Sequence, residues 1–282
     1  MIPKRAFFFW GSQPMSWLRY MSIWSFKKLN PDWTVQLYVS DNDVTDSYWL
    51  TPENQDFHSY KGTDYKECMS EIDVEIIPWE FDKRNIEFIG PSHQSNFFKW
   101  SQLAGEGGLF SDMDILYIKP VEDWYNRYKD CKIVIPFCGY FLIGFMASSP
   151  GNEFFSNVKE AAYRSYNPDY YQSAGVSALY ESLGVNPEGY ESFQRAKNKL
   201  ERMYSYTEYG EFDHQLIYPW THENYFNYFK DIDLPRPHCI GLHWYGGGQV
   251  SQEMNNLIRY DTWRDYKCVI TNHIEQVFGT EI

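Results

Sequence analysis

Residues 92–120, SHQSNFFKWSQLAGEGGLFSDMDILYIKP, decide how this chain is read. Apolar and polar residues fall at helical spacing over 96–104, Ser92 and Ser95 are both candidate N-caps, and Gly107-Gly108 supplies the positive-φ residues that end a helix. The adjoining segment, LFSDMDILYI, is β-prone and mostly apolar. In extended backbone residues i and i+2 share a face, so Asp112 and Asp114 project together while Met113 turns to the other side. Two carboxylates side by side at the end of an otherwise buried strand are costly unless positive charge lies between or beside them. A divalent cation with oxygen ligands is the obvious source of that charge.

Upstream, residues 2–10 read as a buried strand broken by Gly11 and Pro14, and Ser16 caps a helix that runs to Leu29, where Asn30-Pro31 stops it. WTVQLYV at 33–39 alternates as a half-buried strand does. Residues 41–66 are polar, aromatic and rich in turn formers, the pattern of a long irregular insertion or a weak helix, and 74–77 is a short strand. Strands alternating with helices predict an α/β, Rossmann-type, mostly parallel sheet flanked by helices, with ligands at the carboxyl ends of its strands. Downstream, 132–137 and 141–148 read as strands and 150–163, 173–183 and 191–203 as helices. From Gly210 onward the tail is turn-rich, and HCIGLHWYGGGQ at 238–249 is its most distinctive piece. No repeat, linker or low-complexity segment divides the chain, so a single unit is expected over 1–282.

Composition narrows the function. At 43 % hydrophobic residues the chain can fill a sizeable core. A net charge of −13, a pI near 5.0 and no basic run beyond Lys27-Lys28 argue against a nucleic-acid partner. Cys68, Cys131, Cys138, Cys239 and Cys268 show no CxxC spacing and read as reduced structural thiols of a cytoplasmic protein. FFFW at 7–10 is too short for a signal peptide or a membrane span. Aromatic residues reach 20 %, which suits an aromatic core, an interface or stacking platforms for sugars or bases.

IPKRAFFFWG followed by a helix and NPDWTVQLY, together with SNFFKWSQLAGEGGLFSDMDILYIKP, resembles the DXD-containing sugar-binding region of family 32 glycosyltransferases. GYFLIGFMASSPGNEFF, SAGVSALYESL and GLHWYGGG are similar to later elements of that family in the same order, so the resemblance spans most of the chain. It implies a GT-A fold, a nucleotide-diphospho-sugar donor, a divalent metal (Mn²⁺ or Mg²⁺) and a glycan or other hydroxyl acceptor. Residues 1–120 would form the nucleotide-sugar and metal half, and 121–282 the acceptor side with a closing C-terminal element.

By the same resemblance, Asp114 ligates the metal and Asp112 contacts the ribose or donor sugar and reaches the metal. His243 is a third metal or phosphate ligand, its alternative a histidine hydrogen-bonded and packed against Trp244. Trp10, next to Gly11, is placed to stack on the nucleobase, with core packing as the competing account. Asn96 would hydrogen-bond the sugar or ribose, and Lys99 would pair with a donor phosphate or with Asp112, or else be a surface helix charge. Trp244 and Gly246 belong to the closing element, where the 246–248 glycines let backbone amides approach phosphate or form a flexible lid.

Two departures stand out. Where the family has Ser-Asp-x-x-Arg, this chain has Ser95-Asn96-Phe97-Phe98-Lys99, and the Thr-Gly-Pro element is reduced to Ala174-Gly175-Val176. Family 32 implies retention of configuration, whereas inversion needs a carboxylate base, for which Asp213 and Glu153 are the candidates. Two other functions use similar residues. A glycoside hydrolase carries its acids roughly 5 to 9 Å apart on separate elements, unlike an i, i+2 pair. A noncatalytic carbohydrate-binding protein would use aromatic platforms and an acidic Ca²⁺ site.

Overall fold

The computed structural model describes residues 1–40, 60–84, 86 and 89–282. Most of the insertion expected over 41–66 therefore lies outside the described residues. The apolar run near the N-terminus forms β1 (Arg5–Trp10), and Ser16 caps α1 (Trp17–Leu29) by accepting the Arg19 amide. β2 (Thr34–Val39) lies parallel to β1 with Val35 opposite Ala6, and β3 (Glu75–Pro78) lies parallel to β2.

Helix α2 (Pro91–Ala104) begins five residues before the sequence pattern predicts. Its N-cap is Gly90, and Ser92 and Ser95 sit inside the helix, so neither of them caps it. Pro91 explains the early start, because its fixed φ suits a first turn where its missing N–H needs no partner. The chain then turns at Gly107 and Gly108, at φ of 66° and 107°. A Cβ at Gly107 would lie 2.6 Å from the Ser148 carbonyl oxygen, and one at Gly108 2.6 Å from that of Arg5.

The strand expected through the two aspartates is broken. β4 (Gly108–Ser111) pairs with β1, residues 112–114 turn away, and β5 (Ile115–Tyr117) leaves the main sheet to run antiparallel to β9 (Gly241–His243). Partner choice is a long-range event, and a local alternation of side chains cannot record it.

After α3 (Glu122–Tyr128), the strands expected at 132–137 and 141–148 shrink to β6 (Ile133–Val134) and β7 (Phe145–Ser148). Pro136 lacks the amide that a longer β6 would use. The helices α4 (Glu153–Arg164), α5 (Val176–Ser182) and α6 (Tyr190–Met203) form close to their expected positions, followed by β8 (Tyr209–Gly210). Beyond β9 come two helices that the turn-rich tail does not predict, α7 (Gln249–Leu257) and α8 (Val269–Phe278).

The main sheet has the order β3-β2-β1-β4-β7-β6-β8, and only β7 runs against the other six strands. This is the mixed, mostly parallel sheet flanked by helices that the strand and helix alternation predicts. β1 alternates between its two faces. Ala6, Phe8 and Trp10 join an apolar cluster with Met21 and Phe26 of α1, while Phe7 and Phe9 join another with Phe97, Phe98 and Trp100 of α2. The 0–8 % exposure of all these side chains makes them the principal source of stability, at about 25 cal/mol per Å² of apolar surface removed from water. No helix of the described residues is long and apolar enough to cross a membrane.

Candidate active site

Where β4 gives way to β5, the turn keeps the i, i+2 relation of the two acids. Met113 enters the core, while Asp112 and Asp114 stay partly open and line a cleft of about 430 Å³ by the carboxyl ends of β1 and β4. The β5–β9 register sets His243 opposite Ile115, one residue beyond Asp114. His243 Nε2 comes to 3.3 Å from Asp114 Oδ1 and 3.9 Å from Asp112 Oδ2. Two residues near each other in sequence and one from far downstream thus converge because β5 pairs outside the main sheet.

Each carboxylate is held by further groups. The Gly246 amide donates to Asp114 Oδ2 at 2.7 Å, and the Trp244 amide donates to the Asp114 carbonyl at 2.9 Å. The Asp112 amide donates to the Gly144 carbonyl at 2.7 Å. Gly144 is sterically required, since a Cβ there would lie 2.4 Å from Asp112 Oδ2 and 2.8 Å from the Tyr218 hydroxyl. Lys99 Nζ lies 3.6 Å from Asp112 Oδ1, donates to the Ile143 carbonyl at 3.2 Å and sits 4.4 Å from the centre of the Phe110 ring. Enclosure works to raise the Asp112 pKa, and the Lys99 ammonium and the His243 imidazole outweigh it, holding the carboxyl below its usual value. Burial in turn pushes the Lys99 pKa down, with Asp112 opposing.

The donor set fits a divalent cation. One atom from each of Asp112, Asp114 and His243 lies within 4.8 Å of the others. An ion with metal–oxygen distances of about 2.1 Å places its donors about 3.0 Å apart when cis and about 4.2 Å when trans, so the three close on such an ion with shifts under about 1 Å. The two carboxylates suit Mn²⁺ or Mg²⁺ by ligand type, the imidazole favours Mn²⁺ of the two, and the Gly246 and Lys99 contacts would be the outer partners that hold such ligands in orientation.

The other expected residues divide. Trp10, Gly11, Asn96 and Lys99 line the cleft, with the Trp10 ring set by its Nε1–H donating to the Gln13 carbonyl at 2.8 Å. Trp244 does not line it: its ring is buried in the core, 5.2 Å from the Arg19 guanidinium. The Gly246 amide is engaged by Asp114, so it is not open to a phosphate, and Gly247 is the glycine of this segment that lines the cleft. Asp213 is exposed and caps its own turn, accepting from the Gln215 amide at 3.0 Å. Glu153 is exposed in the first turn of α4. Neither acid lines the cleft.

Sequence reasoning missed Arg19, Gln13 and Tyr218, all of which line the cleft. Arg19 carried a signal, being the only charged residue in the run WLRYMSIW, whereas Tyr218 carried none. Three buried side-chain atoms along the cleft have no hydrogen-bond partner among the described residues: Gln13 Oε1, Ser92 Oγ and Tyr218 OH. Such atoms cost free energy in isolation.

No protein family and no curated protein matches the chain by sequence. Similar solved structures include a PaToxG glycosyltransferase, at a TM-score of 0.46 and 15 % identity over 72 % of this chain and 75 % of that one. The glycosyltransferase GlyE of Streptococcus pneumoniae TIGR4 gives 0.42 and 12 % over 85 % of this chain and 54 % of that one, so the match spans about half of GlyE. Mouse xyloside xylosyltransferase 1 gives 0.40 and 9 % over 86 % and 98 %. Likenesses this distant do not decide a reaction, which rests on the residues of the cleft.

Proposed function

We propose that the chain is a metal-dependent glycosyltransferase that moves a hexose from a nucleotide-diphospho-sugar, UDP-linked in preference to GDP-linked, to a hydroxyl of a glycan or other acceptor. The observation that carries this reading is the convergence of Asp112, Asp114 and His243 beside the buried ammonium of Lys99 in one cleft. Such a donor departs as a nucleoside diphosphate, with negative charge growing on its phosphate oxygens. Asp112, Asp114 and His243 would hold the divalent ion, which supplies Lewis-acid charge to that leaving group. The chain's own residues set the geometry: the Gly246 amide orients Asp114, and Lys99 orients Asp112. Asn96 offers hydrogen bonds to sugar or ribose, and Trp10 beside Gly11 offers a ring to the base.

Retention of configuration is part of the proposal. Among the described residues, Asp112 and Asp114 are the only carboxylates that line the cleft, so no separate carboxylate base stands there for inversion. In this reading 1–120 serve the donor and metal, and 121–282 serve the acceptor and supply the C-terminal closing element that brings His243 to the metal ligands. A second recess of about 470 Å³ shares Tyr170, Ser177 and Pro187 with the cleft and would admit that acceptor. Free thiols at all five cysteines support a reducing, cytoplasmic setting.

The test is release of nucleoside diphosphate from UDP- and GDP-hexoses with Mn²⁺, Mg²⁺ or EDTA. Release with a UDP-hexose, its loss in EDTA and a fall of at least about 100-fold in Asp114→Asn are expected. The anomeric configuration of the product, read by NMR, tests retention. Glycan binding that ignores nucleotide and metal, without turnover, would replace this reading with a noncatalytic carbohydrate-binding protein.

A further inference from the structure

Arg19 sits on α1, one turn in from the Ser16 cap, and is 7 % exposed. Its guanidinium carbon lies 4.7 Å from the centre of the Trp10 ring and 5.2 Å from that of Trp244. Indole faces stabilise a cation but accept none of its N–H groups. Among the described residues no acceptor receives a hydrogen bond from the guanidinium; the residue's backbone amide donates to Ser16 Oγ. The charge senses Asp114 and Asp112, yet neither lies within ion-pair distance, whereas Lys99 and His243 both do. Gly246 keeps the place open, because a Cβ there would lie 2.4 Å from Arg19 Nη2.

A guanidinium that lines the cleft with no protein acceptor among the described residues has its donors free for a ligand, and a planar fork of this kind matches the oxygens of a phosphate. The neighbouring carboxylates do not fill that need, since they stand apart from the fork. We propose that Arg19 is a phosphate-binding residue, whose guanidinium receives oxyanions of the nucleoside diphosphate moiety of the donor from the Trp10 side of the cleft. The inference rests on the nucleotide-sugar reading and adds a cation that the metal does not supply. In consequence, nucleoside diphosphate binds even with the divalent ion removed, held by Arg19.

Calorimetric titration of UDP and GDP in EDTA and in Mn²⁺, together with thermal unfolding of the ligand-free protein, tests this on wild type, Arg19→Met and Arg19→Lys. Arg19→Met should unfold at the wild-type temperature or above it, because it removes a buried charge that no protein group bonds. Its affinity for the preferred nucleoside diphosphate in EDTA should fall at least about tenfold, the scale of a lost charge-assisted hydrogen bond. Arg19→Lys keeps the charge without the fork and should fall at least about threefold. Unchanged affinity in Arg19→Met overturns the role of Arg19 and leaves the glycosyltransferase reading standing. If Arg19→Met does not fold, Arg19→Lys decides: weaker binding supports the role and wild-type affinity overturns it. A wild type that binds neither nucleotide, with or without Mn²⁺, overturns both readings together.

Discussion

Lys99 and Arg19 are two buried cations on helices that cover opposite faces of the main sheet, and the protein treats them differently. Lys99 has a carbonyl acceptor, an aromatic face and a carboxylate at 3.6 Å, all from its own chain. Arg19 has two indole faces and no acceptor among the described residues. A buried cation with protein partners is part of the folded architecture, and its loss strands the partner. One without acceptors gains from the indole faces but has no hydrogen bond from the fold, so its N–H groups are left for what enters the cleft. The lysine at position 99 is the residue that departs from the arginine of family 32. Its Nζ lies 3.6 Å from Asp112, so in the proposed reading it positions that carboxylate rather than offering a second fork to phosphate.

The sharpest break of this comparison is Lys99→Met. It should lower stability by about 1–3 kcal/mol in denaturant unfolding, because Asp112 loses the cation beside it while remaining partly open to the cleft. Unfolding at the wild-type midpoint would place Lys99 in the same class as Arg19.

A second buried titratable group on α2 extends the contrast. His93 Nε2 faces the Tyr171 carbonyl at 2.9 Å and the Tyr170 carbonyl at 3.2 Å, its Nδ1 faces the Tyr166 hydroxyl at 3.1 Å, and burial lowers its pKa to about 4. The folded pKa lies below the ordinary 6.5, so the unfolded chain takes up the proton first and stability falls as pH drops from 6.5 toward 4. The expected loss is about 1 kcal/mol at pH 5.5 and about 3 kcal/mol at pH 4. Unfolding midpoints of His93→Gln measured across that range should show a flatter pH dependence than wild type.

Smaller effects sharpen the other side. Gly246→Ala pushes a methyl toward Arg19 Nη2, and a several-fold weaker affinity for nucleoside diphosphate is expected by titration, with little change in fold. Least of all, Asp213→Asn keeps the capping oxygen and should leave turnover unchanged and stability within about 0.5 kcal/mol. A marked loss of turnover in that variant would return Asp213 to the role of base.

The outcome for individual residues shows which kinds of information were local. Asp112 and Asp114 were legible because side-chain direction derives from backbone geometry two residues at a time, and the relation survived even though the strand broke between them. The Gly107-Gly108 stop was legible for the same reason, since glycine favours those φ values and a Cβ at either position would meet a backbone carbonyl at 2.6 Å. The early start of α2 was written in Pro91, whose signal outranks that of the nearby serines. Trp244 was misplaced because an indole in a glycine-rich segment gives no sign of whether it faces ligand or core. Asp213 looked like a base because an exposed acid and a cleft acid are written with the same letter.

Sequence alone determined the alternation of elements, the mostly parallel α/β sheet, and the pair of carboxylates on one side of one short segment, because each depends on neighbours a few positions apart. Tertiary structure decided the rest. The departure of β5 to pair with β9 brought His243 to the aspartates, and the packing of α1 against β1 set Arg19 beside Trp10 without an acceptor. Both are contacts between segments far apart in the chain, whose free energy depends on burial and pairing that only the assembled fold creates.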